Sequence, residues 1–155
     1  TIADVLDRVP DGAAFVSHAS CRAIYDHRRN LSDAQLTAIA GRGGVVCLMP
    51  HPLVVDPSRP TIDRFIDHID YAVSVVGVDR VGLGGDFLQQ IARATGDGQR
   101  TQDGVAIDAT LAGLEGPRDY PRLLDALRTR GYSSADVAAI AGGNLLCFLA
   151  ASPLP

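Results

Sequence analysis

Apolar residues recur along the chain in two alternating patterns, one with helical spacing and one continuous over a few residues. The clearest helical pattern begins at residues 60–61 and runs to about Val76, with apolar positions spaced i, i+3, i+4 and i+7. A second begins at the capping box formed by Ser32 and Gln35 and runs to about Arg42, and a third covers residues 2–9. The continuous runs predict strands. They lie at residues 13–17, 45–49 and 80–83.

The order of these elements favours a parallel sheet. Helices and strands alternate with short links, as in α/β folds whose parallel strands are joined by crossover helices. The run 45–49 is apolar at every position, which predicts a strand covered on both faces. Beyond Asp86 we predict a short helix at 87–94 and then a long loop rich in Gly and Asp. Further helices are predicted at residues 120–130, 133–141 and 144–150.

Composition narrows the class of protein. The chain has 155 residues, of which 46% are hydrophobic, and this is enough for the core of one globular domain. Its net charge of -4 provides no basic field for nucleic acid or for an anionic membrane. All 14 basic residues are Arg, which excludes a Schiff-base lysine and a Walker-type phosphate loop.

The cysteines and the hydropathy predict a place in the cell. Cys21, Cys47 and Cys147 are odd in number and far apart in apolar surroundings, which favours buried free thiols over disulfides or a thiolate metal site. We find no run of the roughly 18 apolar residues that a membrane span needs, and no signal segment opens the sequence. We therefore expect a cytoplasmic protein without a membrane segment.

Candidate chemistry lies where the predicted strands end. In parallel α/β folds the loops at the carboxyl ends of the strands converge on one face. His18 follows the first predicted strand, His51 the second and Asp86 the third. An imidazole suits a metal such as zinc, and a carboxylate can ligate a metal, accept a proton or pair with a substrate ammonium. Two structural roles stay open, with His18 as a hydrogen-bonded core histidine and Asp86 as the N-cap of the following helix.

One arginine and two further histidines add to the candidates. Arg29, in the loop after the first predicted strand, could clamp a substrate carboxylate or remain solvated. His68 falls near the apolar stripe of its helix, so we interpret it as a structural, hydrogen-bonded histidine. His27 and His51 are loop residues for which the pattern indicates no partner.

Short motifs follow one another in an order that is specific as a set. They lie at residues 17–20, 26–31, 67–70, 77–87, 113–115, 120–123, 130–133 and 142–146. Together, from about Ala13 to Leu149, they resemble the membrane (renal-type) dipeptidase family. The resemblance implies an eight-stranded β/α barrel of the TIM type. Residues 1–155 would form one partial barrel domain, its C-terminal part, with about strands six to eight and the C-terminal helices.

The resemblance also implies a dinuclear zinc site that hydrolyses dipeptides. By this likeness His18 is a ligand of one zinc ion, and Arg29 binds the carboxylate of the dipeptide. Asp86 contacts the substrate amine and moves the proton from the attacking water to the leaving nitrogen. A metal-bridged hydroxide would attack the peptide carbonyl, and the metals would stabilise the oxyanion.

Four of the five metal ligands that the family implies have no counterpart here, because the resemblance begins after them. Zinc sites need three or four protein ligands, so we expect this chain alone to bind zinc weakly or not at all. A three-stranded piece would also leave two open sheet edges and an uncovered apolar helix layer. We therefore predict a partner, the N-terminal half of the barrel, supplied by a separate chain or by a cleaved or missing segment, in an oligomeric native protein.

The function implied is that of a zinc-dependent dipeptidase completed by this missing part. Two alternatives remain. One is a non-catalytic or degenerate partner subunit that keeps the fold without metals. The other is a related metal-dependent amidohydrolase that acts on another small amide. The usual Asp-Phe-Asp-Gly of the family is replaced here by the motif Asp86-Phe87-Leu88-Gln89, which leaves the substrate open.

Overall fold

The computed structural model describes residues 2–8, 14–95 and 100–151. Three strands form one parallel sheet in the order β1 (Val16–Ala19), β2 (Val46–Leu48) and β3 (Val81–Leu83). Every residue of the central strand β2 is buried, as the continuous apolar run predicts. The predicted α/β class with a parallel sheet is therefore confirmed.

The first strand lies later than predicted. β1 covers Val16–Ala19, whereas the apolar run indicated 13–17, of which Ala13 lies outside the described residues. Its pairing with β2 fixes the difference, because Val16 is opposite Val46 and Ala19 is opposite Leu48. His18 is consequently inside the strand and does not follow it.

Eight α-helices surround the sheet within the described ranges. They are α1 (Ile2–Arg8), α2 (Asp33–Ala40), α3 (Pro52–Val55), α4 (Ile62–Val76), α5 (Gln89–Thr95), α6 (Tyr120–Arg130), α7 (Ser134–Ala138) and α8 (Asn144–Ala151). Short 3-10 turns lie at Val78–Arg80 and Pro117–Asp119, and a π-type turn at Ala139–Gly143 joins α7 to α8. Val9, predicted as the last residue of the first helix, lies outside the described residues.

Local signals set several of these boundaries. The Ser32 side chain accepts a hydrogen bond from the Gln35 amide, and the Gln35 side chain accepts one from the Ser32 amide, so the predicted capping box is confirmed. α2 ends two residues earlier than predicted, with Gly41 as its C-cap. α3 is a short helix that the sequence analysis missed, and all four of its residues are buried.

The core lies between the sheet and the helices α2, α4 and α6. Its largest fully buried side chains include Leu36, Ile39, Leu48, Phe65, Ile66, Ile69, Leu123 and Leu127. His68 is fully buried on α4, where Nδ1 accepts a hydrogen bond from the Cys21 amide and Nε2 donates one to the Val55 carbonyl. The prediction of a structural, hydrogen-bonded histidine is therefore confirmed.

A glycine allows the two outer strands to approach each other. A Cβ atom on Gly84, just after β3, would lie 2.0 Å from the carbonyl oxygen of Ser17 in β1. The Gly84 amide also donates a hydrogen bond to the Leu48 carbonyl in β2. The carboxyl ends of the three strands therefore lie close together, and the loops that follow them lie at the same end of the sheet.

The C-terminal helical segment carries an exposed apolar surface. Leu146 is 69% exposed and Leu149 is 46% exposed. The prediction that all three cysteines are buried is wrong for Cys147, which is exposed on the same helix, whereas Cys21 and Cys47 are buried. The side chain of Asn144 ties the start of α8 to the sheet by donating to the carbonyls of Val78 and Val81.

Length and composition would also allow this segment to cross a membrane. Ser134–Ala151 spans 18 residues with a mean hydropathy of 1.5, and 11% of them are buried. The segment contains Ser134, Asp136 and Asn144, so it meets the criterion through its mean hydropathy and not as a continuous apolar run. Core helices of soluble proteins meet it as well, so the finding does not by itself assign the segment to a membrane.

Candidate functional site

His18 lies near the carboxyl end of β1 with its side chain exposed. Its Nδ1 is 2.7 Å from the hydroxyl oxygen of Ser17. Within the ranges that the structure describes, Nε2 has no hydrogen-bond partner, so this nitrogen can bind a metal ion. The alternative of a hydrogen-bonded core histidine is wrong, because the side chain is not buried.

Arg29 lies in the loop between β1 and α2. The neighbouring residue Asn30 holds this loop in place. Asn30 is buried, and its side-chain amide donates to the carbonyls of Tyr25 and Val54, each at 2.8 Å. The Arg29 amide donates to Nδ1 of His27 at 3.3 Å. These contacts fix the backbone of the loop and leave the Arg29 guanidinium exposed at the sheet face.

Asp86 lies three residues beyond β3 with an unusual backbone conformation. Its φ is 48°, which makes it the non-glycine residue with positive φ among the described residues. Aspartate tolerates this left-handed conformation better than most residues do. The following helix α5 begins at Gln89, so the alternative that Asp86 caps a helix beginning near Phe87 is wrong. Its carboxylate is exposed instead.

The structure brings Arg29 and Asp86 together in one small cavity of about 60 Å³. The cavity lies at the carboxyl ends of β2 and β3, where the strand-end rule places chemistry. Its lining combines two opposite charges, a histidine and several apolar side chains. The lining residues are Arg29, Met49, His51, Leu53, Asp86, Leu88, Thr101 and Ile107.

His51 is the residue of this cavity for which the sequence indicated no partner. It is 6% exposed, and its Nδ1 accepts a hydrogen bond from the Leu53 amide at 3.1 Å. The ring proton is therefore on Nε2, which donates to the Ile107 carbonyl at 3.3 Å. Its place after β2 was the available signal, but Ile107 is 56 residues away in sequence.

Burial favours the neutral form of the His51 ring. Burial lowers the pKa of His51, and the positive charge of Arg29 acts in the same direction. The Ile107 carbonyl and the negative charge of Asp86 oppose this effect without reversing it. Arg29 and Asp86 are thus both close enough to His51 to influence its pKa, in opposite directions.

The residues that the structure describes do not form a complete metal site by themselves. Among the described residues, no group of three or more His, Cys, Asp or Glu side chains is arranged to bind a metal ion. His18 is a single candidate ligand, and a zinc ion needs three or four from the protein. The residues present therefore do not fit a metal centre without further ligands.

Comparison with known proteins places these features in a family. The model of the membrane dipeptidase family, peptidase family M19, matches residues 1–151. The chain belongs to this family. An uncharacterized dipeptidase of Schizosaccharomyces pombe is 37% identical over 136 residues, which make up 86% of this chain and 29% of that protein. This member of the membrane dipeptidase family therefore spans less than a third of that relative.

Solved structures match the fold over nearly the whole chain. A metallo peptidase of Rhodobacter sphaeroides, with a phosphinate mimic of the dipeptide L-Ala-D-Ala, has a TM-score of 0.77 at 23% identity. The match covers 97% of this chain and 39% of that one. An amidohydrolase of Pseudomonas aeruginosa has a TM-score of 0.73 at 27% identity, over 88% of this chain and 44% of that one. The α/β fold of this chain thus corresponds to less than half of each of these longer chains.

Proposed function

We propose that this chain is the substrate-binding, C-terminal part of a zinc-dependent dipeptidase whose metal centre is completed by polypeptide outside it. The observation that carries the proposal is the small cavity that Arg29 and Asp86 share at the carboxyl ends of the strands. Membership of the membrane dipeptidase family supports the reaction class. About strands six to eight of the barrel would correspond to β1, β2 and β3.

In this proposal Arg29 recognises the end of the substrate. The guanidinium presents a planar fork of donors that matches a carboxylate with two parallel hydrogen bonds. The exposed side chain extends from a loop whose backbone Asn30 holds rigid. A dipeptide is short enough for its free carboxylate to fix the peptide bond relative to the rest of the site.

In this proposal Asp86 binds the ammonium end of the substrate and transfers a proton. Its carboxylate would pair with the substrate ammonium and carry a proton to the leaving nitrogen. The left-handed backbone at this position turns the chain sharply after β3, so the carboxylate is presented at the cavity and not at a helix terminus. His18, on β1, would contribute one ligand through Nε2.

The completing polypeptide has to supply the other metal ligands. Zinc content and mass analysis of the native protein test this together. We expect about two zinc ions per completed barrel and a species larger than the 16.3 kDa of this chain. A monomer of this mass that unfolds cooperatively would contradict the proposal, and a larger complex that stays free of metal after zinc addition would indicate the non-catalytic partner.

One observation favours a second candidate, an amidohydrolase that acts on another small amide. Leu88, which lines the cavity, stands where the usual family motif has Asp, and this makes the wall apolar. A panel of dipeptides, including some with a D-residue at the carboxyl end, separates the two. Hydrolysis of ordinary dipeptides supports the dipeptidase. Activity confined to other small amides supports the second candidate.

A further inference from the structure

Residues 100–108, called the strap below, form one wall of the Arg29–Asp86 cavity through Thr101 and Ile107. The strap is closed on itself, since Arg100 pairs with Ala106 in an antiparallel bridge and the Thr101 amide donates to the Val105 carbonyl at 2.8 Å. It is therefore a compact turn with backbone hydrogen bonds of its own.

Two histidines from different strand-end loops hold the strap by the same arrangement. In each, Nδ1 accepts the amide of the residue two positions later, Arg29 for His27 and Leu53 for His51. The proton is consequently on Nε2, which points to the strap. His27 donates to the Asp103 carboxylate at 3.2 Å, and His51 donates to the Ile107 carbonyl at 3.3 Å.

Further contacts hold the middle of the strap against the residues that follow β1 and β2. Arg28 donates to the Gln102 side chain at 2.9 Å and to the Asp103 carboxylate at 3.1 Å. Val105 packs against the small apolar cluster of Met49, Leu53 and Val54. The strap is thus attached to the β1 loop at one place and to the β2 loop at another.

We propose that His27 and His51 are positioning residues that hold the strap over the cavity, and that the strap limits the site to substrates with a small residue at the carboxyl end. The size limit rests on the proposed function. The cavity of about 60 Å³ has room for about four water-sized groups. This is close to the carboxylate, α-carbon and methyl group of an alanine, so the rest of a dipeptide, with its ammonium, would lie outside the cavity on the exposed side of Asp86.

The test separates the strap contact from the local role of each histidine. Asn is a good N-cap and can accept the same amide through its side chain, but it is too short to reach the strap. His51→Asn and His27→Asn should therefore keep their own loops and release the strap. In the native protein we expect hydrogen exchange of residues 100–108 to be about fivefold faster in each variant, with exchange of 52–55 unchanged. Tyr71→Phe, which removes an exposed hydrogen bond to Asp33, is the matched control.

Substrate preference is the second readout. The ratio of kcat/KM for Ala-Ala to that for Ala-Phe should fall about fivefold in His51→Asn, because a released strap admits the larger residue. Unchanged hydrogen exchange of residues 100–108 in both variants would overturn the claim that the histidines hold the strap. Faster exchange with an unchanged kcat/KM ratio would overturn the size limit. If the native protein hydrolyses no dipeptide, the proposed function and the size limit fail together, while exchange still decides whether the histidines hold the strap.

Discussion

The imidazole of His68 on α4 accepts a hydrogen bond from the backbone amide of Cys21 at 3.0 Å, across 47 residues of sequence. The other ring nitrogen donates to the Val55 carbonyl at 2.8 Å. One neutral side chain in the core thus joins the loop after β1 and the end of α3 to the longest helix. The Arg29 loop and the His51 loop depend on the same anchor.

The stability of the protein should depend on pH through His68. Burial lowers the pKa of His68 from 6.5 to about 4. Between these values the unfolded chain binds a proton that the folded chain does not, so stability is lost as the pH falls from about 6.5 to about 4. The loss should be roughly 3 kcal/mol, at about 1.4 kcal/mol per pKa unit. Urea unfolding of the native protein at several pH values measures it.

The matched variant for this prediction is His68→Gln, which keeps a donor and an acceptor but does not titrate. Its stability should be lower at pH 7.5 and should change less between pH 6.5 and pH 4. An equal pH dependence in both proteins would show that other groups cause the acid sensitivity.

Gly84→Ala should destabilise the fold by about 3 kcal/mol, near the upper end for overpacking. The new methyl group would lie 2.0 Å from the carbonyl oxygen of Ser17, which belongs to the backbone of β1 and is held by the pairing of β1 with β2. Gly116→Ala is the control, because no atom lies within 4 Å of its added Cβ. Thermal unfolding of the two variants should rank them clearly, and equal midpoints would contradict the close approach of β1 and β3.

Asp86→Asn should lower kcat by about a hundredfold or more, with little change in thermal stability. Asn tolerates the left-handed conformation at φ 48° and removes only the charge. Asp86→Gly relieves the backbone completely and should lose the same activity. If Asp86→Gly retains activity, the role of this residue is to adopt the left-handed backbone conformation and its carboxylate is not needed for catalysis.

Arg29→Lys should raise KM for dipeptides about tenfold or more, because a lysine ammonium cannot form the paired hydrogen bonds of a guanidinium. Arg118→Lys, on the 3-10 turn at Pro117–Asp119 with its side chain 87% exposed, is the control and should change nothing. Steady-state kinetics with one dipeptide at varied concentration separates KM from kcat. A fall in kcat alone would argue against a role in binding the carboxylate.

His18→Ala should lower the zinc content of the native protein with little effect on its stability, since the side chain is exposed. Ser17→Ala removes the hydroxyl beside Nδ1 and should weaken zinc binding less, by about tenfold. Zinc titration followed by mass spectrometry measures both. Equal zinc binding in the wild type and His18→Ala would remove His18 from the proposed ligand set.

Local sequence signals predicted those parts of the fold that depend on neighbours in the chain. The capping box at Ser32 and the apolar stripe of α4 are of this kind, and both are confirmed. The start of β1 depends on pairing with β2, about 30 residues away, and no local pattern reports that. α3 has four residues, too few for a helical period to show.

The candidate site divides in the same way. The strand-end rule identified Asp86 and His51 as positions on one face, and the structure places both at the cavity with Arg29. The partner of His51 is a backbone carbonyl, which no residue type in the sequence can reveal. The placement of Arg29 depends on the buried side chain of Asn30, whose two carbonyl partners are Tyr25 in the same loop and Val54 in α3.

The hydrogen bonds of the histidines also determine which ring nitrogens are available to bind a metal ion from solution. In His27, His51 and His68 both ring nitrogens are engaged in hydrogen bonds, so a metal ion would have to displace one of these bonds to bind any of them. His18 offers one open nitrogen within the described part of the chain. If the proposed completing polypeptide supplies the other metal ligands, bound metal in a preparation would indicate that this polypeptide has docked.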